Sequence, residues 1–199
     1  MTKTLEFLFD FASPNAYLSY VPSRDIAKQA GAQFKITPIL LGGLFKLTGN
    51  QAPMVAFGDV PNKISYELLE MRRFIEKHGL GNFKMNPFFP VNSLQLMRGL
   101  IAAQNAGVGD AYIDVVLKGM WEDEENMADA DTAYRVIAAA GIDAEKLASD
   151  AASSPVKDQL KSNTTQAAER GAFGVPTFFV GDAMFFGKDR LHQVADALA

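Results

Sequence analysis

Cysteine is absent from the 199-residue sequence. That one absence excludes disulfides, thiolate metal sites and any cysteine nucleophile belonging to the chain. Histidine is scarce as well. His78 and His192 are the whole supply, too few for a histidine metal cluster and a poor basis for a Ser-His-Asp triad. His78 precedes Gly79 at a predicted helix C-terminus, where a histidine suits the dipole, and both residues are expected at the surface. There is no basic block, and the formal net charge is -4, so nucleic acid is not an expected partner. No uncharged apolar run approaches the roughly 20 residues a membrane helix needs. The segment Met1-Thr2-Lys3-Thr4-Leu5-Glu6 has no apolar h-region or cleavage site, so a soluble cytoplasmic protein is expected. Hydrophobic residues are abundant, at 48% with 15 Phe, enough for a packed core. The length suits one large domain, or a small domain carrying a second one inserted.

The stretch from Leu5 to Leu18 organises the chain. Leu5 to Phe9 is apolar and aromatic, as a buried strand requires. Ser13 is a favoured N-cap and Pro14 a favoured first helical residue, so a helix is predicted to follow at once. It runs to about Ala30, with Pro22 kinking it or dividing it in two, and Gly31 ends it. Gln33 to Ile39 alternates polar and apolar residues and predicts a second strand, completing a βαβ unit. Leu41 to Asn50 reads as a glycine-rich loop, and the chain is expected to stay irregular through Pro61. Helical periodicity then takes over: Ile64, Leu68, Met71 and Ile75 share one face of a helix ending at Gly79. Further helices are expected after Ser93, from Asp110, at about 129–140 and 143–152, and from Ser154-Pro155 to about Arg170. Glu122-Asp123-Glu124-Glu125 reads as a solvated loop and Trp121 as core. Pro176 to Val180 and Ala183 to Phe186, joined by Gly181-Asp182, predict a β-hairpin with a two-residue turn. A last amphipathic helix carries Leu191, Val194 and Leu198. The fold class is therefore α/β, split by an inserted all-α region. The expected division is 1–45 with 171–199, around a helical insert at 46–170.

A strand running into a helix N-terminus, then Val175-Pro176-Thr177 before a hairpin and a final helix, follows the order of the thioredoxin fold. Where that fold carries Cys-x-x-Cys, this sequence has Ser13-Pro14-Asn15-Ala16. The chain resembles the 2-hydroxychromene-2-carboxylate isomerase family, close to kappa-class glutathione transferases and the DsbA-like thioredoxin group. The segments that carry the resemblance span nearly the whole chain in order. They are Phe9-Asp10-Phe11-Ala12-Ser13-Pro14, Leu41-Gly42-Gly43-Leu44-Phe45-Lys46 with Thr48-Gly49-Asn50, and Asn86-Pro87-Phe88-Phe89-Pro90. Asn92-Ser93 through Met97-Arg98-Gly99 and Phe173-Gly174-Val175-Pro176-Thr177 with Gly187-Lys188-Asp189-Arg190 complete them.

The resemblance implies a fold whose reactive thiol is borrowed from glutathione. It implies that Ser13 contacts the glutathione sulfur and that Val175 pairs its backbone with the cysteinyl backbone. The Phe186-Gly187-Lys188-Asp189 turn would receive the γ-glutamyl end, with free amides for its carboxylate and Asp189 for its ammonium. Lys46 and Asn50 would lie near an acidic aromatic substrate, with Asn86, Phe88 and Asn92 as pocket-wall candidates. Three have a plainer alternative: Ser13 and Asp189 as helix caps, and Lys46 as a solvated lysine. The activity implied is glutathione-dependent interconversion of 2-hydroxychromene-2-carboxylate and trans-o-hydroxybenzylidenepyruvate, in a homodimer. A kappa-type transferase and a redox-silent thioredoxin-like binding module are the alternatives.

Overall fold

The computed structural model describes residues 2–199. Strand β1 (Thr4–Phe9) leads through a short turn into helix α1 (Pro14–Gln29) and back into β2 (Gln33–Pro38), which runs parallel to β1. After a long helical stretch the chain returns as β3 (Thr177–Val180) and β4 (Ala183–Phe186). These form an antiparallel hairpin with Val180 opposite Ala183, so the turn is the two residues expected. β3 pairs antiparallel with β1, Leu5 facing Val180, and the sheet order is β2-β1-β3-β4. A strand with helices on both faces needs apolar residues on both. Leu5, Phe7, Leu8 and Phe9 are all buried. Phe7 lies 4.7 Å from Phe178, centroid to centroid, and Phe9 meets Phe11 edge-on at 4.9 Å. Glu6 alone breaks the run. Thr37, Lys35 and Arg170 donate to its carboxylate, and Arg170 also covers the Phe179 ring.

Helix α1 is continuous through Pro22, which neither divides it nor lies exposed. Proline removes one donor, and the serines on either side bond back to helix carbonyls, Ser19 to Asn15 and Ser23 to Tyr20. The expected loop at 41–50 is instead mostly helix, α2 (Leu41–Thr48), closed by Gly49 in the left-handed region. Gly42 and Gly43 each cost a helix about 1 kcal/mol relative to alanine. Tertiary contacts outweigh that cost: Leu44 is fully buried, and Thr164 and Asp10 accept the Leu40 and Leu41 amides. The boundary expected between residues 45 and 46 thus falls inside a helix. A single turn, α3 (Pro53–Ala56), also interrupts the stretch expected to be irregular.

The other helices stand close to their expected places: α4 (Pro61–His78), α5 (Leu94–Asn105), α6 (Gly109–Trp121), α7 (Ala130–Ala139), α8 (Ala144–Ala151), α9 (Ser154–Glu169) and α10 (Leu191–Leu198). They share one hydrophobic core with the sheet. α9 packs on α2 and β2, α5 on β2, and α10 on α1. Trp121 is core as expected, and its indole N–H donates to Phe11 O at 3.1 Å, tying α6 to the turn before α1. The acidic run after it is not simply solvated. Glu122 accepts from Tyr17, Asp123 pairs with Lys118, Glu124 with Lys84 and Glu125 with Arg135. His192 is exposed, but His78 is half-buried against Phe74, 4.2 Å between ring centroids. Among the described residues, no helix is long and apolar enough to cross a membrane.

Candidate active site

Ser13 is extended (φ −96°, ψ 113°), the conformation an N-cap needs, with Pro14 beginning α1 behind it. Its Oγ accepts the Ala16 N–H at 3.2 Å and donates to Val175 O at 3.1 Å. Two chain segments 162 residues apart therefore meet at one hydroxyl. Only 5% of Ser13 is exposed. The Val175–Pro176 bond is cis. The first turn of this 16-residue helix holds no acidic residue, while Lys28 sits in the last turn. Nothing on the helix itself therefore cancels the partial positive charge at its start.

The loop leading to Pro176 is shaped by its aromatic neighbour. A side chain at Gly174 would place its Cβ 2.9 Å from the Phe186 ring, which also lies 4.4 Å from Phe173. Gly187 adopts φ +95°, a left-handed value that favours glycine. Its N–H is already bonded to Pro176 O at 3.0 Å. Of the amides expected to be free at this turn, only those of Lys188 and Asp189 lack an acceptor among the described residues. The Lys188 side chain is buried, its ammonium 3.6 Å from Asp189 Oδ1 and 5.8 Å from the centre of the Phe74 ring. Asp189 is exposed. Val175, Phe186, Gly187, Lys188 and Asp189 thus form one continuous rim beginning at Ser13.

Lys46 is exposed on α2, and Asn50 follows the helix. Asn50 Nδ2 donates to Phe173 O at 2.7 Å, which fastens the end of α2 to the segment before Val175. The remaining expectations place less well. Asn86 is buried, with Nδ2 donating to Met120 O and Glu125 O and Oδ1 accepting from Phe88 N–H. These bonds hold the loop against the end of α6 and leave its side chain without a free hydrogen for a ligand. Asn92 Oδ1 accepts the Leu94 N–H at the start of α5, and the Phe88 ring is about half exposed. No hydrogen bond among the described residues joins these three to the Ser13 turn.

One polar residue of the site escaped notice in the sequence. Asp10 is fully buried beneath the Ser13 turn, and both of its carboxylate oxygens accept backbone amides. Burial pushes its pKa up, opposed by hydrogen bonds from Leu41, Ser93 and Ala12. The available signal was a charge placed directly after the apolar run Phe7-Leu8-Phe9.

Chemically, a hydroxyl donor at a helix N-terminus stabilises an anion placed against it. The Val175 backbone, just before β3, offers a carbonyl with which a peptide could pair in the manner of an added strand. Since the chain owns no thiol, any thiolate chemistry at this point must be brought by a ligand.

Comparison with known proteins agrees with this geometry. The model of the DSBA-like thioredoxin domain matches residues 4–199. The 2-hydroxychromene-2-carboxylate isomerase of Sphingobium xenophagum is 28% identical over 193 residues, covering 96% of this chain and 95% of that protein. Glutathione S-transferase kappa 1 of Homo sapiens is 26% identical over 216 residues, 100% of this chain and 92% of that protein. Among solved structures, a 2-hydroxychromene-2-carboxylate isomerase superposes with a TM-score of 0.82 at 26% identity, covering 98% of this chain and 94% of that one.

Proposed function

The chain belongs to the DSBA-like thioredoxin family yet carries no cysteine, and from that premise we propose that it is a glutathione-dependent isomerase of 2-hydroxychromene-2-carboxylate. Its relatives support the coarser statement, an activity of the isomerase or glutathione-transferase type. The observation that carries the finer one is the Ser13 hydroxyl, held between α1's N-terminus and Val175 O where a redox relative would need a thiol.

Glutathione fits the residues present. Val175 offers a backbone carbonyl beside the Ser13 hydroxyl, and the Lys188 and Asp189 amides, with the Asp189 carboxylate, suit an amino-acid zwitterion. Lys46, an exposed cation on α2, suits the substrate carboxylate. When bound, glutathione would supply a thiolate that adds reversibly to a conjugated carbon; with the hemiketal C–O bond broken to give the phenol and ketone, the former double bond can rotate, and elimination returns the thiolate unconsumed.

The chain's own part is to hold that sulfur ionised and placed. Ser13 keeps the Ala16 N–H on its oxygen whichever way its own proton points, so the hydroxyl can leave Val175 O and donate toward sulfur without unmaking the cap. Val175 O, once released, is free to accept a ligand N–H. One exchange of hydrogen bonds thus couples backbone capture to sulfur activation.

The test is turnover with glutathione well below the substrate. Conversion far beyond the thiol supplied, giving trans-o-hydroxybenzylidenepyruvate, is the expected result. Conversion that stops at one equivalent, with the tripeptide's mass retained in the product, would establish a kappa-type transferase instead. No conversion, and no change in melting temperature with millimolar glutathione, would leave a binding module.

A further inference from the structure

Asp10 plays no part in the chemistry above, but its bonds join the turn before α1 to the start of α2. Oδ1 accepts the Ala12 N–H at 2.9 Å and Oδ2 the Leu41 N–H at 2.7 Å. The Ser93 side chain, at the start of α5, lies near the same carboxyl and opposes the upward pKa shift that burial gives it. Its main-chain carbonyl accepts the Ser13 N–H at 3.2 Å. Leu40, the residue capping α2, has no side chain able to accept the orphan amides there, so Asp10 supplies that acceptor from outside the helix. No cation pairs with it among the described residues. A buried carboxylate of this kind is costly, and packing alone would be served as well by an apolar side chain.

We infer that Asp10 is a positioning residue, whose carboxylate fixes α2, and with it Lys46, against the turn that presents Ser13. Its consequence for turnover rests on the reading above; its consequence for geometry does not.

Two variants test it. Asp10→Asn keeps the shape but must turn an NH2 toward one of two N–H donors, losing a bond. Leu41→Pro deletes the same bond from the other side. Leu40 (φ −97°, ψ 108°) already has the conformation required before proline, and proline is favoured at the first helical position. In ligand-free protein, Leu41→Pro should shift the Ala12 and Ser13 amide resonances, although it lies on a different element. Asp10→Asn should shift those of Leu41 through Lys46. With the chromene carboxylate, both variants should raise KM about tenfold while changing kcat much less. Shifts confined to the mutated element, with normal KM and only a lower melting temperature, would make Asp10 a purely structural residue and overturn the inference. Should Asp10→Asn fail to fold, Leu41→Pro alone decides. Should the wild type not act on this substrate, the proposed function falls while the resonances still decide for or against Asp10.

Discussion

Ser13→Cys would turn the site into its own reporter. The chain has no other thiol, so every alkylation or ultraviolet thiolate signal would come from one position. Three effects set the pKa there. The start of α1 favours an anion by up to about 2 kcal/mol in a partly buried setting. The Ala16 N–H, 3.2 Å from the present oxygen, adds a bond to a charged acceptor, worth about 1.5–3 kcal/mol. Against these stand burial, with 5% of the residue exposed, and Val175 O, an acceptor at 3.1 Å that disfavours negative charge. A net gain of about 2 kcal/mol is expected, lowering the thiol from about 8.5 to roughly 7. The assay is the rate of iodoacetamide alkylation against pH, with the same variant in denaturant as the internal reference. The weaker cap should also cost about 1 kcal/mol of stability. A folded-state midpoint at or above the denatured one would refute the argument, since a site that cannot ionise its own thiol cannot ionise a borrowed one.

Lys46→Met should raise KM for the acidic substrate and lower kcat/KM roughly ten- to hundred-fold, with glutathione affinity unchanged by calorimetry; an unaltered KM would return Lys46 to the solvent. Glu6 predicts an acid limb of stability. Burial would raise its pKa, but hydrogen bonds from Thr37, Arg170 and Lys35 outweigh that and hold it at about 2, below the ordinary 4.5. The folded state therefore releases this proton more readily, and the stabilisation, present above about pH 4.5, is lost as pH falls toward 2. Asp10 has the opposite sign, its raised pKa removing stability as pH climbs above 3.8. Melting temperature against pH for wild type and Glu6→Gln should show a shallower slope in the variant between pH 4.5 and 2.

The parts of the fold that could be read from the sequence are those whose signals are local. Ser13-Pro14 caps and starts a helix by its own chemistry, and Gly181-Asp182 closes a hairpin between two short aromatic strands. Helix α2 could not be read that way, because its glycines speak against it and its anchors, Asp10 and Thr164, lie 31 and 124 residues away. Asn86 misled for a related reason. An asparagine in a proline-rich loop looks available to a ligand until its partners, Met120 O and Glu125 O, come into view. The acidic run after Trp121 gained its partners in the same long-range way. Ser13 and Val175 could be joined only through the resemblance to the thioredoxin order, since nothing local links residues 162 apart.

The pairing of Leu5 with Val180 also sets a timetable for the chain's synthesis. At about 5–20 residues per second, β1 leaves the ribosome roughly 9–35 s before its antiparallel neighbour exists. During that interval β2 can cover one edge of β1, but the other edge, flanked by Phe7 and Phe9, has no strand to pair with. An unpaired apolar edge is a template for other nascent chains. The yield of this protein should therefore rise when holding chaperones are supplied during translation, even with the finished molecule unchanged.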